Sequence, residues 1–435
     1  MIEFNPNCTC GKKHISTIDK IILGKNVLPR LSDVLHEYNC RKPFVVADEN
    51  TLSAAGNAVK TVLDDNGFEC ALHVFSFKEL HCDESAIGSA LMHFDISCDA
   101  VIGVGSGTIN DICKIISNTT GKPYIIICTA PSMDGYASAT SSAICDNLKV
   151  SLQSRCPDVI IGDTDIVKTA PDDMLRAGLG DMLAKYISIC EWRIGHIVTG
   201  EYYCEEVAGI IRKSLKACVD NAEGLMKRED KAVEAVLNGL INGGLAMAYA
   251  GVSRPASGVE HYFSHVWDMR GVEFGTCTSL HGIQCGIATL YAASLYEKLQ
   301  KITPDLNKAL KFAESFDLPK HRQMLIDFLG ESGKTMIELD KKEQKFAVYK
   351  HNERINTIIK NWGSILNIIK EEIPPTEEIE KILDTVEAPK SVSDIGIDEK
   401  ELSNTFVATM DIRDKYVLSR LTWDLGVLDC FENAF

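Results

Sequence analysis

A chain of 435 residues, 45% hydrophobic and 24% charged, has the composition of a globular protein of two or three domains, which excludes a disordered or fibrous one. Its 45 Lys+Arg against 61 Asp+Glu give a net charge of −16, which excludes binding to nucleic acid or to an anionic membrane through bulk basic surface. No apolar run approaches the ~20 residues that span a bilayer. The 16 cysteines follow no framework spacing and the N-terminal residues form no apolar leader, so reduced thiols and a cytoplasmic location are expected.

The first feature along the chain is CTCGKKH, with Cys8, Cys10 and His14. A Cys-x-Cys-x3-His arrangement can hold a metal, but no partner half follows at zinc-ribbon spacing, so a strand-turn terminus is expected. From Lys42 strands and helices alternate. PFVVAD (43–48) is a strand ending in Asp48, and AGNAVKTVLDDNGF has helical periodicity with a Gly stop. ECALHVFSF (69–77) is a second strand and ESAIGSALMHFDIS a helix. DAVIGVGSG is a third strand running into a glycine turn, TINDICKIISNTTG a helix ending on Gly121, and PYIIICTAP a fourth strand. Strands separated by helices of this length indicate a mainly parallel, Rossmann-like sheet. After about Pro171 strand signals fade and three long segments show helical spacing. Residues 333–400 are charge-rich and read as exposed helices with a Pro-Pro break. The expected organisation is an α/β nucleotide-binding domain over 1–168 and an all-α domain over 169–435.

Two groups of residues carry chemistry. The segment Gly103-Val-Gly105-Ser106-Gly107-Thr108 joins a strand to a helix, where glycines admit a phosphate and the helix N-terminus supplies unpaired N–H groups. Its spacing is not the G-x-G-x-x-G fingerprint, so a plain tight turn stays open beside the phosphate reading. Strand four ends in Thr129-Ala130-Pro131-Ser132, and two adjacent strand ends rich in Gly, Ser and Thr favour a dinucleotide. Asp48 is equally readable as a ribose contact or as a helix cap. In the helical half, His261 and His265 are spaced i, i+4 on one helix face, His281 opens a further helix, and Asp181 lies upstream. A carboxylate and two imidazoles suit Zn, Ni or Fe with positions left open for Lewis-acid catalysis.

At GVGSGTINDICK, TAPSMDGYASATSS, GLGDMLAKY, RPASGVEHYFSH and HGIQCG, in this order, the chain resembles the superfamily of iron-containing alcohol dehydrogenases, glycerol dehydrogenases and dehydroquinate synthases. Within it the chain is similar to the glycerol-1-phosphate dehydrogenases of the bacterial AraM type, whose C-terminus TMDIRDKYVLSRLTWDLG also resembles. The resemblance implies a dehydroquinate synthase-like fold, NAD or NADP, one divalent metal and a homodimer. It implies that Gly105, Ser106, Gly107, Thr108 and Ile109 form the pyrophosphate loop and that Thr129, Ala130, Pro131 and Ser132 form a second cofactor loop. Asp48 and Ser138 are implied as further cofactor contacts. Asp181, His261 and His281 are implied as metal ligands, and Asp134, Asp181 and His265 as catalytic and substrate-contacting groups. Arg254, seven residues before His261, is implied by analogy as a phosphate-binding cation. Many members read His-Gly-Glu where this chain reads His281-Gly282-Ile283, so an acid near the metal is missing or replaced by Gln284. The implied reaction is reversible NAD(P)-dependent reduction of dihydroxyacetone phosphate to sn-glycerol 1-phosphate. The alternatives are a polyol dehydrogenase acting on an unphosphorylated substrate and, more distantly, a synthase-like cyclisation or a catalytically silent nucleotide-binding protein.

Overall fold

The computed structural model describes residues 2–76, 79–146, 148–276 and 278–432. The strand expected over 69–77 ends on Phe77, which lies outside them. The chain forms two compact units, residues 1–182 with 209–252 and residues 183–208 with 253–435.

Among its described residues the first unit holds ten strands: β1 Ile2–Phe4, β2 His14–Ser16, β3 Lys20–Gly24, β4 Pro43–Asp48, β5 Ala71–Phe75, β6 Ala100–Gly105, β7 Tyr124–Cys128, β8 Thr140–Cys145, β9 Leu148–Gln153 and β10 Val159–Asp163. Six make a sheet in the order β3-β10-β7-β6-β4-β5, with every pairing parallel. Parallel sheets are covered on both faces and read as continuous apolar runs. Val101, Ile102 and Val104 in β6 and Ile125, Ile126 and Ile127 in β7 are accordingly fully buried. The helices Asn57–Asp65, Glu84–His93 and Gly107–Thr120 supply the crossovers, and the last ends on Gly121 at φ 68°, the left-handed C-terminal position that glycine fills without strain. The expected alternation over 42–128 is therefore observed. The antiparallel hairpin β1–β2 lies where a strand-turn terminus is expected around CTCGKKH, whereas the hairpin β8–β9 and the strands β3 and β10 lie outside the elements assigned from sequence. Asp48, Gly105 and Cys128 end three neighbouring strands, so the loops after them share one edge of the sheet, where open α/β sheets bind their ligands.

The second unit is helical among its described residues. Its framework includes the helices Lys185–Thr199, Val259–Phe274, His281–Leu299 and Leu418–Asp424. Trp192, Trp267 and Trp423 are buried in it. Between 331 and 385 four helices follow one another, with Pro374 and Pro375 in the gap before Thr376–Thr385, as the Pro-Pro break requires.

Candidate active site

At the carboxyl edge of the sheet, the turn from β6 into the helix Gly107–Thr120 is tied to the loop after β7. Ser106 Oγ and Ser132 Oγ are 2.6 Å apart, and Thr129 N donates to Gly105 O at 3.2 Å. The Tyr136 hydroxyl donates to Ala130 O at 2.7 Å. Gly105, Ser106, Gly107, Thr108 and Ile109 thus adjoin Thr129, Ala130, Pro131 and Ser132. The two glycines have different reasons to be glycine, and neither has a positive φ. A Cβ on Gly105 would lie 2.5 Å from the Ile109 side chain, whereas one on Gly107 would meet only Met133, at 3.4 Å. A methyl is therefore tolerated in the space beside Gly107, while Gly105 is required by packing. Asp48 Oδ1 accepts from Thr51 N at 2.7 Å in a reciprocal capping box, so at least one carboxylate oxygen serves the local turn. Ser138 Oγ is held by Lys114, a fully buried lysine whose Nζ also donates to Gly135 O and Thr140 O. Sequence reasoning missed Lys114; its only signal was a charge among the isoleucines and cysteine of the buried face of its helix.

The same unit builds a buried carboxylate pair. Asp181 is fully buried, and its Oδ2 accepts from Asp134 N at 2.9 Å. A carboxylate oxygen of each lies within 4.8 Å of the other. Glycines make this approach possible. A Cβ on Gly178, one turn before Asp181, would sit 1.8 Å from Pro131 O, and one on Gly244 would sit 2.9 Å from Asp134 O.

The second unit builds an imidazole group. His261 and His281 stand edge to face with centroids 5.0 Å apart, and His265 stacks on His281 at 6.0 Å. His261 Nδ1 lies 2.8 Å from Glu260 Oε1, which also accepts from Gly258 N at 2.7 Å. Burial raises the Glu260 carboxyl, and raises that of nearby Glu191, which accepts from Val259 N and Leu418 N. On the other ring a hydrogen-bond chain fixes the tautomer. The Gln284 Nε2 amide donates to Asp268 Oδ1 at 3.1 Å, which turns Oε1 toward Ser264. Ser264 Oγ gives its proton to that Oε1 at 2.6 Å and so accepts from His281 Nδ1 at 2.8 Å. His281 Nδ1 thus carries the proton and Nε2 the lone pair. Nδ1-anchored imidazoles are the form in which histidine ligates divalent metals, so the donor set fits one. Gln284, suspected from sequence, occupies the buried position from which Asp268 acts on His281 through Ser264.

Arg254 is buried and donates from both Nε and Nη2 to Glu201; its Nη1 has no hydrogen-bond partner among the described residues. A larger collection of cations went unnoticed in the sequence because its members are scattered. A cavity of about 360 Å³ is lined by Lys345, Lys350, Arg354, Arg413, Lys415 and Arg420 together with Glu343, Glu353 and Asp414, and Arg354 is itself paired with Asp424 behind the wall. Lys415 Nζ donates to Ser257 O and Oγ, both at 2.9 Å, and sits over the Tyr262 ring, so this wall touches the segment leading into the His261 helix.

A family profile described as iron-containing alcohol dehydrogenase matches residues 22–171. Glycerol-1-phosphate dehydrogenase (NAD(P)+) from Halalkalibacterium halodurans is 34% identical over 341 residues, 75% of this chain and 83% of its own. The Bacillus subtilis enzyme of that name is 32% identical over 325 residues, 73% and 82% of the two chains. The solved structure of glycerol dehydrogenase from Schizosaccharomyces pombe shares the fold with a TM-score of 0.62 at 18% identity, covering 97% of this chain and 92% of that one.

Proposed function

The chain belongs to the glycerol-1-phosphate dehydrogenase family, among the iron-containing alcohol dehydrogenases, and on that premise we propose that it catalyses reversible NAD(P)-dependent reduction of dihydroxyacetone phosphate to sn-glycerol 1-phosphate. It is an oxidoreductase that uses NAD(P) and a divalent metal. When bound, a divalent metal would polarise the substrate carbonyl and reduced nicotinamide would supply the hydride.

The chain's own residues bind and position. Asp181, His261 and His281 are the proposed ligands, supported by the Nδ1 anchoring of both imidazoles. The pyrophosphate is assigned to the N-terminus of the helix Gly107–Thr120, where amides of Gly107, Thr108 and Ile109 and the helix dipole favour an anion, with Thr129–Ser132, Ser138 and Asp48 completing the cofactor contacts. His265 and Asp134 orient substrate hydroxyls. In role, residues 1–168 bind nucleotide and lend Asp134 to the substrate, and 169–435 bind metal and the rest of the substrate; this division is one of chemistry and not of compactness. A homodimer in the cytoplasm is part of the same reading.

The observation that carries the phosphorylated substrate is the six-cation cavity beside the His261 helix, in a chain of net charge −16. An anion is drawn to such a chain only where charge is locally reversed. Arg254 remains the candidate contact nearest in sequence, with Nη1 as its remaining donor. The test is a panel of dihydroxyacetone phosphate and dihydroxyacetone, each with NADH and NADPH, at several added metals. Strong preference for the phosphorylated ketone is expected; equal rates on the two would replace this reading with a polyol dehydrogenase.

A further inference from the structure

We propose that the N-terminal hairpin is a second metal site, of structural type and suited to zinc, formed by Cys8, Cys10 and His14. The two sulfurs and one imidazole nitrogen lie within 4.8 Å of one another. None of the three belongs to the carboxylate and imidazole groups assigned to catalysis. Cys10 Sγ is 3.3 Å from His14 Nε2. Zinc bonds of about 2.3 Å to sulfur and about 2.0 Å to nitrogen, at a tetrahedral angle, place such a pair roughly 3.6 Å apart.

The tautomer of His14 favours ligation. Its Nδ1 lies 3.1 Å from Tyr249 O, and a carbonyl oxygen only accepts. Nδ1 therefore carries the proton, and Nε2 presents its lone pair toward Cys10. Metal-binding histidines are held this way, by a backbone carbonyl on the far nitrogen. The ring is only 1% exposed, which rules out reading it as a surface histidine. It is fixed by the pairing Phe4↔His14 in β1–β2 and by the stack of Phe4 on Tyr249.

The connecting chain is shaped for the cluster. Cys8 N donates to Asn5 O at 3.0 Å, and Gly11, at φ +88°, turns the backbone directly after Cys10. Lys12 Nζ donates to Ala250 O at 2.8 Å, so the loop is pinned to the last turn of the helix Asp230–Ala250, next to the carbonyl that holds His14. Two thiolates with one imidazole select zinc over the harder divalent ions. The fourth position is left to water or to a residue outside the hairpin. The role inferred is a staple that fastens the first 16 residues to the end of that helix.

The test is metal content per chain together with the spectrum of the cobalt-substituted full-length protein, neither of which depends on turnover. The Cys8→Ser/Cys10→Ser variant is expected to carry one fewer zinc per chain than wild type and to lose the thiolate-to-cobalt charge-transfer absorption. Cys285→Ala, which removes the cysteine beside His281, is expected to keep that absorption. Equal zinc in wild type and the double variant overturns the proposal, as does a band abolished by Cys285→Ala. Should the double variant fail to fold, the wild-type spectrum decides: cobalt-loaded wild type without a thiolate band overturns the site.

Discussion

His261 and His265 share a helix face, yet their surroundings separate their roles. His261 has Nδ1 anchored on a buried glutamate, and His281 is anchored through Ser264 and Gln284. His261→Ala or His281→Ala is expected to lose bound catalytic metal and turnover together, while His265→Ala keeps the metal and loses substrate handling. Metal analysis of the purified variants with steady-state kinetics checks this; an emptied site in His265→Ala alone would reverse the roles. Gln284→Leu breaks the chain at its centre and leaves Asp268 and Ser264 without their buried partner. Loss of such an outer contact costs on the order of 10–100-fold in metal affinity, measurable by competition with a chelator. Lys415→Met tests the cavity. A charge-assisted phosphate contact contributes roughly 1.5–3 kcal/mol. Below neutral pH its loss is therefore expected to lower kcat/KM for dihydroxyacetone phosphate by about ten- to a hundredfold and to leave dihydroxyacetone nearly untouched. Arg254→Ala is a less specific companion, because it also strips Glu201 of its partner; equal losses on both substrates would assign Arg254 to the fold.

Among the elements, the glycine turn after β6 permits a test that separates packing from binding. Gly107→Ala adds a methyl that meets only Met133 at 3.4 Å, so folding and metal content are expected to stay near wild type while the NADH dissociation constant rises. Gly105→Ala forces a Cβ to 2.5 Å from Ile109, and overpacking of this kind costs about 1–3 kcal/mol of stability. An unchanged NADH titration in Gly107→Ala would remove this turn from the cofactor site. The sheet from β4 to β7 was legible because its strands are continuous apolar runs between helices of clear period. The edge strand β3 is only five residues, and β10 is a short VIIGD run with no helix of ordinary length between it and its neighbours to announce it. The β8–β9 hairpin carries Thr, Ser and Ser at 140–142, which do not alternate apolar and polar. The candidate site residues were legible from local spacing where there was one, as in the glycine turn and the His261/His265 pair, and through the family resemblance elsewhere, as for Asp134 and Ser138. Lys114, Lys415 and the parts that Ser264 and Asp268 play beside Gln284 were not, because their partners are brought together only by packing.

On the scale of the molecule, buried lysines set a pH dependence. Burial, with Arg254 and Arg413 adding to it, pushes the Lys415 ammonium down to about 7, and burial pushes Lys345 down to about 8, against an ordinary value of 10.5. Between those values and 10.5 the unfolded chain holds protons that the folded chain has released. Their contribution to stability therefore rises with pH across that window and is lowest below about 7, where the folded state carries the buried charges. Relative to wild type, Lys415→Met is expected to gain a few degrees in melting temperature, on the order of 2–4 °C per kcal/mol, as the pH is lowered from the top of the window to its bottom. Calorimetry of both proteins across the window checks it, and a constant difference would contradict it. A last consequence follows from the way the chain threads its two units, leaving the first at 182 and returning to it from 209 to 252. The helix Asp230–Ala250 is the returning piece, and its Gly243 and Gly244 cradle the turn that carries Asp134. During synthesis the sheet emerges from the ribosome long before this helix does. The nascent chain must therefore wait, with the Asp134 turn and the His14 and Ser16 side of β2 uncovered, until the residues up to 252 have emerged. A premature stop anywhere between 183 and 230 leaves a sheet whose Asp134 turn lacks the support of Gly243 and Gly244.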